Sequence, residues 1–283
     1  MPADSPRLMA IDLDGTLLRN DGTVSPRTAA ALARVEQAGA QFVFVTGRPP
    51  RHVANGLQPL GYTGQVICAN GALTLDMRTG RLSDKTLIPA GVLAEAAARL
   101  RRAIPDLGIA VEYTDRHVRD RHYQPGAWRM PENVPWLPDE ELFARDAVKL
   151  LGRHPTLSGD DLLGLAAPVV GEIVAVYHSG GLRLLEATAA GVSKGTALAR
   201  LAGRLGIAAA DVAAFGDMVN DLPMLAWAGR SYAMANAHPD VLAAADRVIP
   251  GNDEDGVATV IEELFPGSAP SVTGRRHEPG RTP

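Results

Sequence analysis

Residues 8–18 read LMAIDLDGTLL, and the predicted fold is built around this segment. It begins with four apolar residues, which are typical of a short strand buried on both faces, and the strand ends at two acids that flank one leucine. Because side chains alternate in an extended backbone, Asp12 and Asp14 are expected to project to the same side, and Gly15 permits a sharp turn after them. The sequence therefore predicts two carboxylates in one site at the end of a buried strand.

The spacing of these two acids indicates a cation site. Like charges this close resist ionising together unless a cation or a proton lies between them. Magnesium prefers hard oxygen ligands and usually keeps room for water and a substrate phosphate, so we expect Mg²⁺ at Asp12 and Asp14. The alternative is a strand end with two solvated acids before a turn, since short motifs also match by accident.

The composition is that of a globular protein larger than one ordinary domain. The chain has 283 residues, of which 46% are hydrophobic and 21% are charged. This length favours two domains, or one domain that carries an insertion. The net charge of −4 gives no electrostatic footprint for nucleic acid or an anionic membrane, and no run of about 18 apolar residues is present to span a bilayer. We therefore expect neither nucleic acid nor a membrane as a partner.

The N-terminal sequence and the cysteine content predict a cytoplasmic protein. The N-terminus lacks a basic region followed by a long apolar segment, which an export signal would need. Cys68 is the only cysteine, so an intrachain disulfide is impossible and a reducing compartment fits. Lysine is scarce as well, with only Lys85, Lys149 and Lys194.

The residues after the acidic pair alternate between helix and strand. A helix predicted to begin at Pro26 is followed by buried strands over residues 41–45 and 65–69, as in a β-α-β unit. In open α/β sheets, ligands bind outside the carboxyl ends of the strands, so Thr46 is expected to face the same crevice as Asp12. Its hydroxyl would then bind a phosphate oxygen. The alternative is that Thr46 only caps the next helix.

The alternation of strands and helices loosens after the third strand. Residues 83–187 read as helices, antiparallel strands and a long aromatic loop, which is typical of an α+β insert. The sequence therefore predicts a discontinuous core, formed by residues 1–82 and 188–266, with a separate domain over residues 83–187. The proline-, glycine- and arginine-rich tail over residues 267–283 is predicted to be disordered.

Further candidate catalytic and metal-binding residues occur after residue 187, where the predicted core resumes. Lys194 lies in the first turn of a predicted helix, where its charge opposes the helix dipole, and this suggests a nearby anion. A solvated surface lysine is the alternative. Farther on, residues 216–221 (GDMVND) follow another buried strand, and Asp217 and Asp221 can supply a metal ligand and its orienting neighbour.

Four motifs now occur in order at predicted strand ends: DLDGT at residues 12–16, TGR at 46–48, Lys194, and GDMVND at 216–221. Together they resemble the haloacid dehalogenase (HAD) superfamily of phosphatases. NGA at residues 70–72 and GVSKG at 191–195 resemble its Cof-type branch. The resemblance extends from residue 8 to about residue 265 and implies an α/β fold. That fold is a doubly wound, Rossmann-like parallel-sheet core with an inserted α+β cap domain.

The resemblance implies a magnesium-dependent phosphatase of sugar phosphates, nucleotides or phosphorylated cofactors that works through an aspartyl phosphate. Asp12 would be the nucleophile, Asp14 the general acid and then the base, and Lys194 the group that neutralises the nucleophile and the phosphate. The residues assigned to the phosphate are Thr46, Gly47, Arg48, Asn70 and Asn220. The residues assigned to Mg²⁺ are Asp12, Asp14 through its backbone carbonyl, Asp217 and Asp221.

Two other functions stay open at this stage. A phosphomutase uses the same nucleophile but returns the phosphate to another hydroxyl. A non-enzymatic phospho-acceptor or binding protein would also place acids, a threonine and a lysine together, but signalling receivers lack an acid at the position of Asp14. The sequence is compatible with a monomer or a homodimer, and the cap is expected to open and close about hinges near Ser83 and Ala187.

Overall fold

The structure is a computed structural model that describes residues 5–53, 57, 60–124, 134–179 and 183–266. The strands are β1 (Leu8–Ile11), β2 (Gln41–Val45), β3 (Gln65–Cys68), β4 (Leu73–Asp76), β5 (Leu82–Ser83), β6 (Gly108–Glu112), β7 (His117–Arg119), β8 (Lys149–Arg153), β9 (Val174–Tyr177), β10 (Leu184–Ala189), β11 (Val212–Gly216), β12 (Arg230–Met234) and β13 (Arg247–Ile249). The α-helices are α1 (Pro26–Gln37), α2 (Ala90–Ala103), α3 (Asp139–Leu142), α4 (Gly159–Val170), α5 (Lys194–Leu205), α6 (Leu222–Trp227), α7 (Pro239–Ala244) and α8 (Gly256–Leu264).

The larger sheet has eight strands in the order β13-β12-β11-β1-β2-β3-β4-β5. The six strands from β13 to β3 pair in parallel, and β4 and β5 continue the sheet in antiparallel pairing. Strand β1 therefore lies near the middle, with β11 on one side and β2 on the other. The predicted parallel-sheet core is confirmed.

Strand β1 is buried on both faces, as its continuous apolar sequence predicts. Met9 and Ile11 pack in the hydrophobic cluster that includes residues of α1 and α8, whereas Leu8 and Ala10 pack in the cluster that includes residues of α5, α6 and α7. Helices on both faces are what makes the sheet doubly wound.

Helix α1 shows how the local sequence sets these elements. The Ser25 side chain caps its N-terminus by accepting a hydrogen bond from the backbone N–H of Thr28, and Pro26 occupies the first turn. Gly39, with φ of +78°, follows the C-terminus and permits the chain to turn back toward β2. The predicted β-α-β unit is therefore present.

The smaller sheet has five strands in the order β7-β6-β8-β10-β9, and all of its pairs are antiparallel. Helices α2 and α4 contribute to its apolar core through residues such as Leu100 and Leu162. This is the α+β insert that the sequence predicts, and we call it the cap.

The exact domain boundaries stay predictions. Strand β5 of the larger sheet ends at Ser83, where the insert is predicted to begin. Strand β10 of the cap sheet ends at Ala189, two residues after the predicted end of the insert at Ala187. The predicted tail over residues 267–283 lies outside the described residues.

Three short elements differ from the sequence-based prediction. The sequence pattern predicts that the aromatic loop of the insert, over residues 116–142, is mostly irregular, but its described part contains β7 and α3. Strand β13, at the edge of the larger sheet, was not predicted. Elements of three or four residues are too short for hydrophobic periodicity to reveal. Over the described ranges, no helix has both the length and the apolar character needed to cross a bilayer.

Candidate active site

The site is built at the carboxyl ends of three neighbouring parallel strands. Ile11 of β1 pairs with Phe44 of β2 and with Phe215 of β11, so the residues that follow these strands meet at one edge of the sheet. The backbone N–H of Asp12 continues the ladder by donating to the carbonyl of Phe215, at 3.1 Å. Asp12, Asp14 and Asp217 line one cavity of about 170 Å³ between this edge and the cap.

Lys194 links Asp12, which lines this cavity, to the buried acid Asp221. Its Nζ donates to Asp12 Oδ1 at 2.6 Å and to Asp221 Oδ1 at 2.5 Å. The lysine is only 1% exposed, because α5 begins at this residue and directs its first turn under the site. Burial opposes the charged amine, but the carboxylates of Asp12 and Asp221 raise the pKa of Lys194 above its ordinary value. The alternative of a solvated surface lysine is therefore excluded.

Three buried carboxylates form a group that could hold a metal ion. Oxygen atoms of Asp12, Asp217 and Asp221 all lie within 4.8 Å of one another. Burial raises the pKa of Asp12, and burial together with the charge of Asp221 raises the pKa of Asp217 to about 7. Lys194 supplies one positive charge against three acids, so the oxygen-rich set fits a divalent cation.

The loop after β11 is held by Asp221. Its Oδ2 accepts hydrogen bonds from the backbone N–H groups of Asp217 and Met218, each at 3.0 Å. The side chain of Asp217 also accepts a hydrogen bond from Thr16 Oγ1 at 2.9 Å. These contacts fix the orientation of Asp217, which agrees with a supporting role for Asp221.

Gly15 is required at this site for two reasons. Its φ is +77°, which favours glycine, and a Cβ atom built on it would lie 2.8 Å from Cγ of Asp217. The sequence predicts the sharp turn, but only the fold reveals the close approach of Asp217.

Asp14 takes a different partner from the other acids. Arg48 Nε donates to Asp14 Oδ2 at 2.7 Å, and Arg48 Nη2 donates to Asp14 Oδ1 at 2.5 Å. The carboxylate of Asp14 is therefore outside the group of three acids and lies farther out, with 41% of the side chain exposed. The use of its backbone carbonyl as a metal ligand stays a prediction.

The five residues predicted to bind phosphate are divided by the structure. Gly47, Arg48 and Asn220 line the cavity, whereas Thr46 and Asn70 are buried behind it. The hydroxyl of Thr46 accepts the backbone N–H of Arg48 at 3.1 Å, which shapes the TGR turn. Asn220 Nδ2 donates to Asn70 Oδ1 at 3.0 Å, and Asn220 Oδ1 is buried without a hydrogen-bond partner.

The cap contributes a set of polar residues that the sequence analysis did not single out. They are Glu112, His117, Lys149, Arg153, Ser179 and Glu186, all of which line the cavity. Lys149 is one of only three lysines in the chain, so the scarcity that drew attention to Lys194 is a signal that also applies to Lys149. For the others, polar residues in or just after short cap strands give no signal that distinguishes a cavity-facing side chain from a solvated one.

Lys149 connects the cap to the core. Its Nζ forms a buried ion pair with Glu186 and donates to the backbone carbonyl of Gly47 at 2.8 Å. Glu186 also accepts a hydrogen bond from Asn70 Nδ2 at 3.1 Å. Burial opposes the ionised form, but the charge of Lys149 lowers the pKa of Glu186. The pair therefore lies directly against the predicted phosphate-binding residues.

A second ionic group joins the same two parts of the molecule. Arg51 of the core forms a two-pronged ion pair with Glu112 of the cap, in which Nη2 lies 2.6 Å from Oε2. His117 Nδ1 lies 3.0 Å from the same carboxylate. Burial, with the nearby charges of Arg51 and Lys149, lowers the pKa of His117 to about 3, so this imidazole is neutral and its Nδ1 carries the proton that Glu112 accepts.

Two histidines meet at another point where the cap contacts the core. His178 Nε2 and His238 Nε2 lie 3.0 Å and 3.3 Å from Asp160 Oδ1. No other histidine lies at metal-ligand spacing from His178 along the sequence, and only the fold brings His238 beside it. The backbone N–H of Asp240 donates to Nδ1 of His238, so Nε2 of that ring carries the proton and donates to Asp160. The group is therefore a hydrogen-bonded contact between cap and core.

Comparison with known proteins agrees with this geometry. A sequence model of the haloacid dehalogenase-like hydrolases matches residues 9–129 and 139–261, which include every strand of the larger sheet except part of β1. The chain belongs to this family. The HAD family assignment, its Cof-type branch and the predicted enzyme class, a phosphoric monoester hydrolase, are thereby confirmed.

Individual members of the HAD family resemble the chain over nearly its whole length. The 5-amino-6-(5-phospho-D-ribitylamino)uracil phosphatase YitU of Bacillus subtilis is 28% identical over 92% of this chain and 98% of its own. The pyridoxal phosphate phosphatase YbhA of Escherichia coli is 30% identical over 90% of this chain and 97% of its own. A solved haloacid dehalogenase-like hydrolase of B. subtilis superimposes with a TM-score of 0.77 at 29% identity, over 91% of this chain and 99% of that one.

Proposed function

We propose that this HAD-family phosphatase hydrolyses small phosphomonoesters through a phosphoryl group carried transiently on Asp12, with Mg²⁺ held by Asp12 and Asp217 and with Asp221 as support. The observation that carries the proposal is the contact of Lys194 with Asp12 and Asp221 at the closed end of the cavity. The two relatives described above are named for phosphates of a uracil derivative and of pyridoxal, which supports a small phosphorylated metabolite as substrate.

In the first step, a carboxylate oxygen of Asp12 attacks phosphorus and the bond from phosphorus to the ester oxygen breaks. Asp14 donates a proton to the departing oxygen, so the leaving group departs as a neutral alcohol. In this structure both oxygens of Asp14 are bonded to Arg48, so Arg48 has to release the carboxyl group for this proton transfer. A substrate phosphate beside Arg48 supplies the competing anion.

In the second step, Asp14 takes a proton from water as the water oxygen attacks phosphorus. The bond from phosphorus to Asp12 then breaks, and inorganic phosphate leaves. Lys194 neutralises the charge on Asp12 in both steps, and the cation, when bound, neutralises charge on the phosphoryl oxygens. Positioning and charge neutralisation are the main needs of phosphoryl transfer, and these are the groups that the site contains.

The test is phosphate release from 4-nitrophenyl phosphate, with and without Mg²⁺. We expect Asp12→Asn to lower kcat by at least about a thousandfold, because it removes the nucleophile. Asp21→Asn is the matched control, since it makes the same change in an exposed turn. Rapid acid quenching with ³²P-labelled substrate should trap a hydroxylamine-sensitive label on wild type and none on Asp12→Asn.

Two results would contradict the proposal. Equal phosphate release by Asp12→Asn and wild type would exclude Asp12 as the nucleophile. Transfer of the label to a second hydroxyl without free phosphate would instead favour a phosphomutase.

A further inference from the structure

One face of the cap sheet forms the wall of the cavity opposite the core. Along β8 the side chains of Lys149, Leu151 and Arg153 alternate onto this face, and all three line the cavity. On the neighbouring strand, Leu184 is paired with Arg153, and Glu186 is paired with Leu151. Along β8 the wall is therefore charged at Lys149, apolar at Leu151 and charged again at Arg153.

The end of the wall nearest the core is charged, but its charges are paired. Lys149 forms an ion pair with Glu186 and a hydrogen bond with the carbonyl of Gly47, and Glu112 forms an ion pair with Arg51. Because Gly47 belongs to the predicted phosphate-binding turn, this end lies beside the position of the phosphate. The core end of the wall therefore presents no unpaired charge to the leaving group.

The middle of the wall is apolar. Ala110, Tyr123 and Leu151 form a small buried hydrophobic cluster, separate from the main cores, and Leu184 packs against it. Tyr123, Leu151 and Leu184 line the cavity directly. A flat apolar body can pack here, whereas most hydroxyl groups of a sugar would lose water without finding partners, because the Tyr123 hydroxyl is the one polar group on these three side chains.

Arg153 lies at the far end of the wall. It is four positions along the extended strand from Lys149, a distance of about 13 Å between their Cα atoms. No described carboxylate lies within ion-pair distance of Arg153, and its Nε is buried without a hydrogen-bond partner. Its Cζ lies 6.0 Å from the centre of the Tyr123 ring. A buried guanidinium N–H without an acceptor is costly, so a ligand oxygen that binds here is favoured.

We propose that Arg153 selects phosphomonoesters whose leaving group has an apolar body and, at the end opposite the ester, an anionic oxygen group such as a carboxylate. This inference rests on the proposed phosphatase function, because that function places the phosphate at the core end of the cavity. Arg153 then binds the far end of the same substrate.

The test compares two esters that differ mainly in that terminal group, 4-carboxybenzyl phosphate and 4-methylbenzyl phosphate. We expect wild type to show a kcat/KM at least about tenfold higher for the carboxylated ester, the size of effect that a charged hydrogen bond supplies. Arg153→Gln should remove this preference, and Arg153→Lys, which keeps the charge but not the planar fork, should retain part of it. Arg116→Gln, the same change at an exposed cap arginine, should leave the preference as in wild type.

The possible failures can be told apart. Equal kcat/KM for the two esters in wild type, or equal losses for both in a folded Arg153→Gln, would overturn the role of Arg153 while leaving the phosphatase function in place. Folding of each variant is checked by its thermal unfolding midpoint. If folded wild type with Mg²⁺ releases phosphate from neither ester, the proposed function itself fails, and the inference fails with it.

Discussion

At the scale of a single residue, Gly15 leaves room in the turn after β1 for the carboxyl group of Asp217, which lies in the loop after β11. Gly15→Ala would strain a backbone with φ of +77° and would place Cβ against the carboxyl group of Asp217. We expect this variant to lose about 1 kcal/mol of stability or more from strain. We also expect phosphatase activity to fall about a hundredfold, because misplacing a catalytic group by about 1 Å has that effect.

Gly22→Ala is the matched control for this prediction. Gly22 has φ of +80°, but a Cβ atom there would meet nothing within 4 Å. It should therefore lose similar stability in urea denaturation while retaining full activity. If both variants keep wild-type activity, the close approach of Gly15 to Asp217 has no part in the site.

At the scale of secondary-structure elements, the edge of the cap sheet carries a buried neutral histidine. His117 follows the turn between β6 and β7, and its side chain is only 9% exposed. Burial, with the charges of Arg51 and Lys149, lowers its pKa to about 3 from an ordinary value of 6.5. Between these two values the unfolded chain binds more protons than the folded protein does. The contribution of the neutral His117 to the free energy of unfolding is therefore complete above pH 6.5 and is lost as the pH falls toward 3.

We expect this single histidine to cost the protein about 2 kcal/mol of stability at pH 5 relative to pH 7.5. The measurement is the free energy of unfolding of wild type and of His117→Gln at both pH values. His117→Gln should lose less stability on acidification than wild type, whereas His122→Gln, at an exposed cap position, should lose as much as wild type does. Equal losses for wild type and His117→Gln would show that His117 titrates normally.

At the scale of the whole molecule, Lys149 and Glu186 hold the cap against the core. Lys149→Met would leave the Glu186 carboxylate buried without its cation, and we expect a loss of about 3–5 kcal/mol of stability. The double variant Lys149→Met/Glu186→Gln removes both charges and should be more stable than Lys149→Met alone. The measurement is urea denaturation of the two variants and wild type.

The exposed pair of Arg247 and Glu263 provides the control, since its side chains are 48% and 47% exposed. Arg247→Met, and the same change combined with Glu263→Gln, should each alter stability by no more than about 1 kcal/mol. If Lys149→Met costs as little as Arg247→Met, the buried pair does not hold the cap in place.

The parts of the fold that could be predicted are those in which several local signals agree. The apolar run of β1, the capped helix α1 and the strand β2 each have a clear pattern, and they were predicted with ends close to those observed. Strands β7 and β13 have three residues each and owe their conformation to the neighbouring strands that they pair with. Short edge strands of this kind carry no periodic signal of their own.

The doubly wound core, the family and the set of acids with Lys194 could be predicted from local sequence patterns, because these residues follow buried strands whose parallel ends must meet. Two features become visible only in the folded protein: the Asp14 carboxylate pairs with Arg48, and Lys149, Glu186 and Arg153 from the cap face the same cavity as Asp12. Asp14 and Arg48 lie in the loops after neighbouring strands of one sheet, so their pairing depends on the conformation of those loops. The cap residues, by contrast, come from a separate sheet. Their approach depends on how the cap packs over the core, and local sequence patterns carry no information about that packing.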